Sequence, residues 1–151
     1  MPASFQLNVA IREHSNGDQV AFKVDGQRFE GAEKTLKFSV DSHYDVRISA
    51  RPSVDVRALN IAGFDLDLKK ESENETLAVW NTSGMEVSKK GTRQNITLVL
   101  RTPQGTLTKQ LQSKFYPKED SHADWGHKLT TIEWKCTMEH DVIHVVEENF
   151  R

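Results

Sequence analysis

The feature that most narrows what this chain can fold into is the spacing of its apolar residues, which recur at every second position rather than about every 3.6. Phe5, Leu7, Val9 and Ile11 alternate with Gln6, Asn8, Ala10 and Arg12, and Val20, Phe22 and Val24 alternate with Ala21 and Lys23. Leu36, Phe38 and Val40 flank Lys37 and Ser39, while Tyr44, Val46, Ile48 and Ala50 flank Asp45, Arg47 and Ser49. Side chains of a strand point alternately to its two faces, so each run buries one face and wets the other, as antiparallel sheet requires. The second half continues with Leu66 and Leu68, Leu77 and Val79, Ile96 to Leu100, a longer polar run from Leu107 to Phe115, Ile132 to Met138, and Val142 to Val146. Val54 and Val56 open a run whose phase slips at Ala58–Leu59, which reads as a bulge. Val, Ile and Thr make 30 residues against 9 Ala, a balance that favours pleated structure over helix.

Turn residues punctuate these runs: Asn16-Gly17-Asp18, Asp25-Gly26, Gly63, Ser83-Gly84, Gly91 and Pro103-Gln-Gly105. About ten short strands at this spacing predict a single antiparallel β-sandwich over residues 1–151. Residues 69–76, which are charged, and 117–128, rich in His and Asp, read as loops. Leu, Ile, Val and Phe supply 37 of the 151 residues, above the level at which disorder becomes the default.

Charge and targeting patterns remove several function classes. Twenty Lys and Arg against 22 Asp and Glu leave a formal charge of −2, so the excess of cations expected of a nucleic-acid binder is absent. The N-terminal alternation has no cationic start followed by an apolar block, and no apolar stretch approaches the ~20 residues of a membrane span. Cys136 is alone, which excludes an internal disulfide and favours a reducing compartment. The expected location is the cytoplasm, with at most peripheral membrane attachment; the sequons at Asn74, Asn81 and Asn95 then read as chance.

The sequence carries no pattern of reactive groups. Asp120, His122, Asp124 and His127, with Cys136 downstream, form the densest set of possible ligands, but zinc sites use tight His or Cys pairs that are missing here. Asp41-Ser42-His43 and Asp120-Ser121-His122 place triad residue types side by side, where their side chains diverge. There is no Gly-x-Ser-x-Gly elbow and no phosphate-binding glycine loop. No catalytic residue, metal or cofactor is expected, and a metal-dependent hydrolase that would lose activity on changing His122 or His127 to Ala is the remote alternative. Lys89, Lys90 and Arg93 form a basic cluster that could meet an acidic peptide or an anionic leaflet, and Trp125, in a loop, is a surface-recognition candidate. Trp80, out of phase, reads either as a surface residue or as a buried one bonded through its indole N–H. Phe22, Phe38, Leu98, Leu100, Phe115 and Trp134 lie in apolar phase and are either core or the lining of an interior that receives an acyl or prenyl chain.

Phe22-Lys-Val-Asp-Gly-Gln-Arg-Phe29 resembles a signature of the cannabinoid receptor-interacting protein family. In order and spacing, Pro52-Ser53, Asn60-Ile61, Gly63, Thr82, Gly84, Ser88-Lys89, Gly91, Arg93-Gln94, Lys114-Phe115-Tyr116, Trp125-Gly126, Ile132-Glu133 and Cys136 are similar too. The resemblance implies a cytosolic, non-enzymatic partner of the type 1 cannabinoid receptor that binds the receptor's C-terminal tail, plain or lipidated. It further implies dampened signalling, including relief of receptor-mediated inhibition of voltage-gated calcium channels, and a fold similar to the Rho GDP-dissociation inhibitor sandwich. The alternative it carries is a carrier that holds lipidated tails between two sheets. The end of the chain, Glu148-Asn-Phe-Arg151, departs from the family's apolar terminus, and the charged side chain weighs against capture by a PDZ groove.

Overall fold

The computed structural model describes residues 4–24 and 34–151, and most of the alternating runs within them become strand; the expected run of Leu66 and Leu68 does not, since residues 66–67 lie between two strands. β1 (Ser4–Glu13) is the centre of one half of the molecule, antiparallel to β4 (His43–Arg51) on one side and to β12 (Ile132–Glu139) on the other. Phe5, Leu7, Val9 and Ile11 are buried from β1, Tyr44, Val46, Ile48 and Ala50 from β4, and Ile132, Trp134 and Cys136 from β12. β8 (Glu75–Asn81) and then β7 (Leu68–Ser72) extend this half beyond β4, and β13 (Val142–Phe150) extends it beyond β12.

The other half is built on β10 (Gly105–Tyr116), which pairs antiparallel with β9 (Gln94–Thr102) from Gly105 to Ser113. On its opposite edge β10 runs parallel to β3 (Lys34–Ser39) between Ser113 and Tyr116. β2 (Ala21–Val24) and β11 (His127–Lys128) continue outward from β3, and β5 (Ala58–Ile61) and β6 (Phe64–Asp65) continue from β9.

A short parallel pairing, Thr106 with Val142 and Leu107 with Ile143, joins β10 to β13. Among the described residues all thirteen strands therefore belong to one sheet. That sheet curls over itself: Phe38 of β3 and Trp80 of β8, far apart in strand order, have ring centroids 5.0 Å apart. Phe22 of β2 meets Phe150 of β13 in the same way at 5.4 Å. The all-β expectation holds, with corrections of detail. The sheet is mixed rather than antiparallel, and its halves are continuous rather than two separate layers, because alternation encodes which face is buried but not the direction of the neighbouring strand.

Two register pairs make the centre of the core. Phe38 lies opposite Phe115 across β3 and β10, and Tyr44 lies opposite Trp80 across β4 and β8. The pairs face each other over the fold, with Phe38–Phe115 at 5.6 Å, Tyr44–Trp80 at 5.9 Å and Trp80–Phe115 at 6.1 Å. Such aromatic pairs contribute ~0.5–1.5 kcal/mol each beyond their buried area. Trp80 is 1% exposed, yet its indole N–H has no hydrogen-bond partner among the described residues. Leaving that donor dry costs ~1–3 kcal/mol, which the burial of the large ring outweighs.

β8 corrects the expected phase. Thr76, Ala78 and Trp80 face the core, whereas Leu77 is half-buried and Val79 is 41% exposed. Residues 69–76 are the β7–β8 hairpin rather than a loop, since charged side chains suit an exposed edge strand. The run opened by Val54 and Val56 becomes strand only from Ala58, with Leu59 and Ile61 buried. Residues 117–128 contain one 3-10 turn, Ser121–Asp124, before β11. The Asp25-Gly26 turn and residues 25–29 of the signature lie outside the described residues.

Candidate functional site

The segment from Phe64 to Leu68 crosses from β6 in one half to β7 in the other. Ala62 and Gly63, both at positive φ (54° and 88°), make the tight turn that delivers it from β5. Leu66 N–H then bonds the Leu59 carbonyl at 2.9 Å, holding the crossing near β5. The crossing leaves β8 early. β7 pairs with β8 as far as Leu68–Ala78, and past that register Val79 and Asn81 have no strand on that side among the described residues. Thr82 N–H bonds Ser42 O towards β4, so strand alternation turns the backbone N–H and C=O of Val79 the other way, out of the sheet edge.

Between the crossing segment and this edge lies a groove of about 480 Å³, lined mainly by Phe64, Leu66, Leu77, Val79, Asp65 and Asp67. Phe64 is 45% exposed, and its ring rests on Gly84, where a Cβ would come within 3.0 Å of Cζ. The site thus combines an unpaired stretch of backbone, apolar walls, two carboxylates and the ammonium group of Lys69. That combination accepts an extended peptide with apolar side chains at alternate positions and a cation nearby. Sequence reasoning missed it, because Leu77 and Val79 on one face of β8 compete with Ala78 and Trp80 on the other.

Of the predicted surface residues, Trp125 follows the 3-10 turn directly, while Lys89, Lys90 and Arg93 lie in the loop that precedes β9. Asp120 caps the turn, accepting from His122 N at 2.9 Å and standing 2.7 Å from His122 Nδ1, and these bonds hold its carboxyl below the usual carboxylate range. His122 stacks on Tyr116 with planes 9° apart and centroids 6.5 Å apart, and Trp125 lies 4.2 Å from the His122 ring. Lys37 of β3 straps the turn by donating to the carbonyls of His122 and Trp125. Lys114 stands 5.6 Å from the Tyr116 ring centroid. Burial raises the Tyr116 hydroxyl above its ordinary pKa, with Asp120 adding to the rise and Arg93 opposing it. Arg93 also donates to Thr35 Oγ1. Lys89 and Lys90 occupy a turn closed by Thr92 N–H to Lys89 O, with Gly91 at φ +74. The loop carrying them is pinned to β10 through Ser88, whose N–H bonds Phe115 O and whose Oγ accepts from Phe115 N.

The interior residues singled out from the sequence, Phe22, Phe38, Leu98, Leu100, Phe115 and Trp134, are all buried in one core cluster. They are separate from the groove. Trp134 reaches the edge of the core, where its indole N–H donates to Glu148 Oε2 at 2.7 Å, and Lys109 meets the same oxygen at 3.2 Å. This bridge spans β10 and β13 beyond the point where their pairing ends.

The possible metal ligands diverge. His122 is engaged with Asp120, His127 packs on Phe22 at 5.4 Å, and Cys136 is in the core. Burial pushes the Cys136 thiol up to about 11, which keeps it protonated and weakly nucleophilic at neutral pH. Ser42 gives its hydroxyl proton to Val40 O at 3.0 Å rather than to His43.

A profile of the family described as CB1 cannabinoid receptor-interacting protein 1 matches residues 1–150. The chain is 36% identical over 146 residues to the CB1 cannabinoid receptor-interacting protein 1 of Rattus norvegicus, covering 90% of this chain and 88% of the relative. Against the Homo sapiens protein of the same name the identity is 35% over 146 residues, with the same coverage. Among the described residues no helix is long and apolar enough to cross a membrane.

Proposed function

Because the chain belongs to the cannabinoid receptor-interacting protein family, we propose that it is a non-enzymatic adaptor that binds the C-terminal tail of a cannabinoid-type G protein-coupled receptor in the groove between β6 and β8. The observation that carries the docking site is the backbone of Val79, turned out of the sheet beside apolar walls. An extended tail adds there as a further strand. Main-chain bonds supply affinity, worth a net ~0.5–1.5 kcal/mol each, and the walls formed by Phe64, Leu66 and Val79 select alternate side chains. Asp65 and Asp67, offset in part by Lys69, favour a tail that carries a Lys or Arg at the groove's margin.

Occupying the tail at the cytoplasmic face keeps it from other partners, which is how binding would relieve receptor-mediated inhibition of voltage-gated calcium channels without any chemical step. Calorimetric titration with an unmodified tail peptide tests this. The wild-type chain binds, and Val79→Asp, which puts a charge on the apolar wall without touching the core, weakens binding by tenfold or more. Equal affinities for the two proteins would remove the groove from the account, and no binding of any tail peptide would remove the adaptor reading.

One observation favours a second cargo. β10 and β13 pair over two positions and then diverge, held by the Lys109–Glu148–Trp134 bridge and by the Phe22–Phe150 contact. An acyl or prenyl chain entering along that seam would gain ~0.8 kcal/mol per buried CH₂. A lipidated tail that binds where the plain one does not would favour this carrier reading.

A further inference from the structure

We propose that the rim formed by the Lys89–Lys90 turn, Arg93, Lys114 and Trp125 is a docking surface for the anionic headgroups of a lipid bilayer. Trp125 is 56% exposed, although the other two tryptophans are 1% and 0% exposed in the core. It is not a loose side chain: the His122 ring supports it from one side, Tyr116 supports His122, and Lys37 fixes the turn's backbone. An indole held outward on a rigid turn, at the end of the sheet where Lys37 and Lys114 lie side by side, is the arrangement that sits at headgroup depth, with its apolar body among acyl chains and its N–H wet.

The cations come from three separate segments that the fold brings to one end. β3 and β10 run parallel there, so Lys114 lies beside Lys37, and Arg93 reaches β3 at Thr35. The Ser88–Phe115 bonds hold the Lys89–Lys90 turn against the same end of β10. The Trp125 turn also carries the carboxylates of Glu119, Asp120 and Asp124, of which Asp120 is engaged by His122, so the attraction comes from the lysines of the neighbouring segments. The concentration of positive charge is not a property of the whole chain, whose formal charge is −2.

The surface fits a bilayer better than an acidic peptide. Lys89, Lys90 and Trp125 are exposed and project from turns. A flat field of headgroups needs no cleft, only side chains that stand out from the surface. The same loop that carries Lys89 and Lys90 begins at Gly84, under the Phe64 ring that walls the groove. Docking this rim on a leaflet therefore brings the groove close to the membrane surface, although the proposal stands without any assumption about what the groove holds.

Vesicle co-sedimentation and tryptophan emission test it on the intact chain. Vesicles of phosphatidylcholine with about one-third phosphatidylserine bind the protein and shift the Trp125 emission to the blue, whereas phosphatidylcholine alone does neither. Raising the salt severalfold releases the protein, and Lys89→Gln and Lys90→Gln each weaken binding by about fivefold. Trp125→Ala abolishes the emission shift and reduces co-sedimentation while the urea midpoint stays put. Absence of binding to the anionic vesicles overturns the proposal. So does binding that ignores Lys89, Lys90 and Trp125, or a soluble polyglutamate peptide that binds through these residues when vesicles do not.

Discussion

Gly126 is held where no other residue fits. Its φ is +135°, and a Cβ there would lie 2.6 Å from the Phe22 carbonyl oxygen. The glycine lets the chain leave the 3-10 turn and come back against β2 as β11, which closes one end of the sheet. Gly126→Ala combines a disallowed conformation with a backbone collision, and we expect it to cost ~2–4 kcal/mol, read as a lowered urea midpoint. A midpoint within experimental error of the wild type would show that the turn yields without loss. The Trp125-Gly126 pair stands out in the sequence as a family motif, but its reason is invisible there. The neighbour that forbids a Cβ is Phe22, about a hundred positions away.

At the scale of elements, β8 marks where reading the sequence succeeded and where it could not. β4 and β12 were legible because a polar residue stands between each pair of apolar ones, and β1 because only the small Ala10 interrupts that pattern, which leaves one choice of buried face. In β8 both faces are apolar: Leu77 and Val79 compete with Ala78 and Trp80, and the sequence does not say which wins. The fold decides by area and by partners, because only Trp80 meets Phe38, Tyr44 and Phe115. The losing face becomes the groove wall, so the candidate site was illegible for the same reason that the phase was. Trp80→Ala is expected to cost ~3–5 kcal/mol in unfolding, whereas Val79→Ser costs under ~1. Similar losses at the two positions would mean that both faces are core. The parallel neighbours of β10 were illegible for another reason: they depend on which strands return to that edge after the chain has visited the other half.

For the molecule as a whole, a sheet that curls on itself buries one continuous core and leaves its functional surfaces at the margins. The core was predictable from alternation, and Phe22, Phe38, Leu98, Leu100, Phe115 and Trp134 all lie in it. The margins were not, because each is built from segments distant in sequence: β6 beside β8, and the Lys89–Lys90 turn beside the Trp125 turn. A loop that runs from Gly84 against Phe64 to Ser88 against Phe115 links the two margins along one rim. Titrating isotope-labelled protein with an unmodified receptor-tail peptide and following every backbone amide by NMR addresses the central claim directly. The largest shifts should fall on Val79, Asn81 and Phe64 to Asp67, with Trp134 and the rest of the core unmoved. Shifts confined to the core and the β10–β13 seam, with the β8 edge silent, would contradict it.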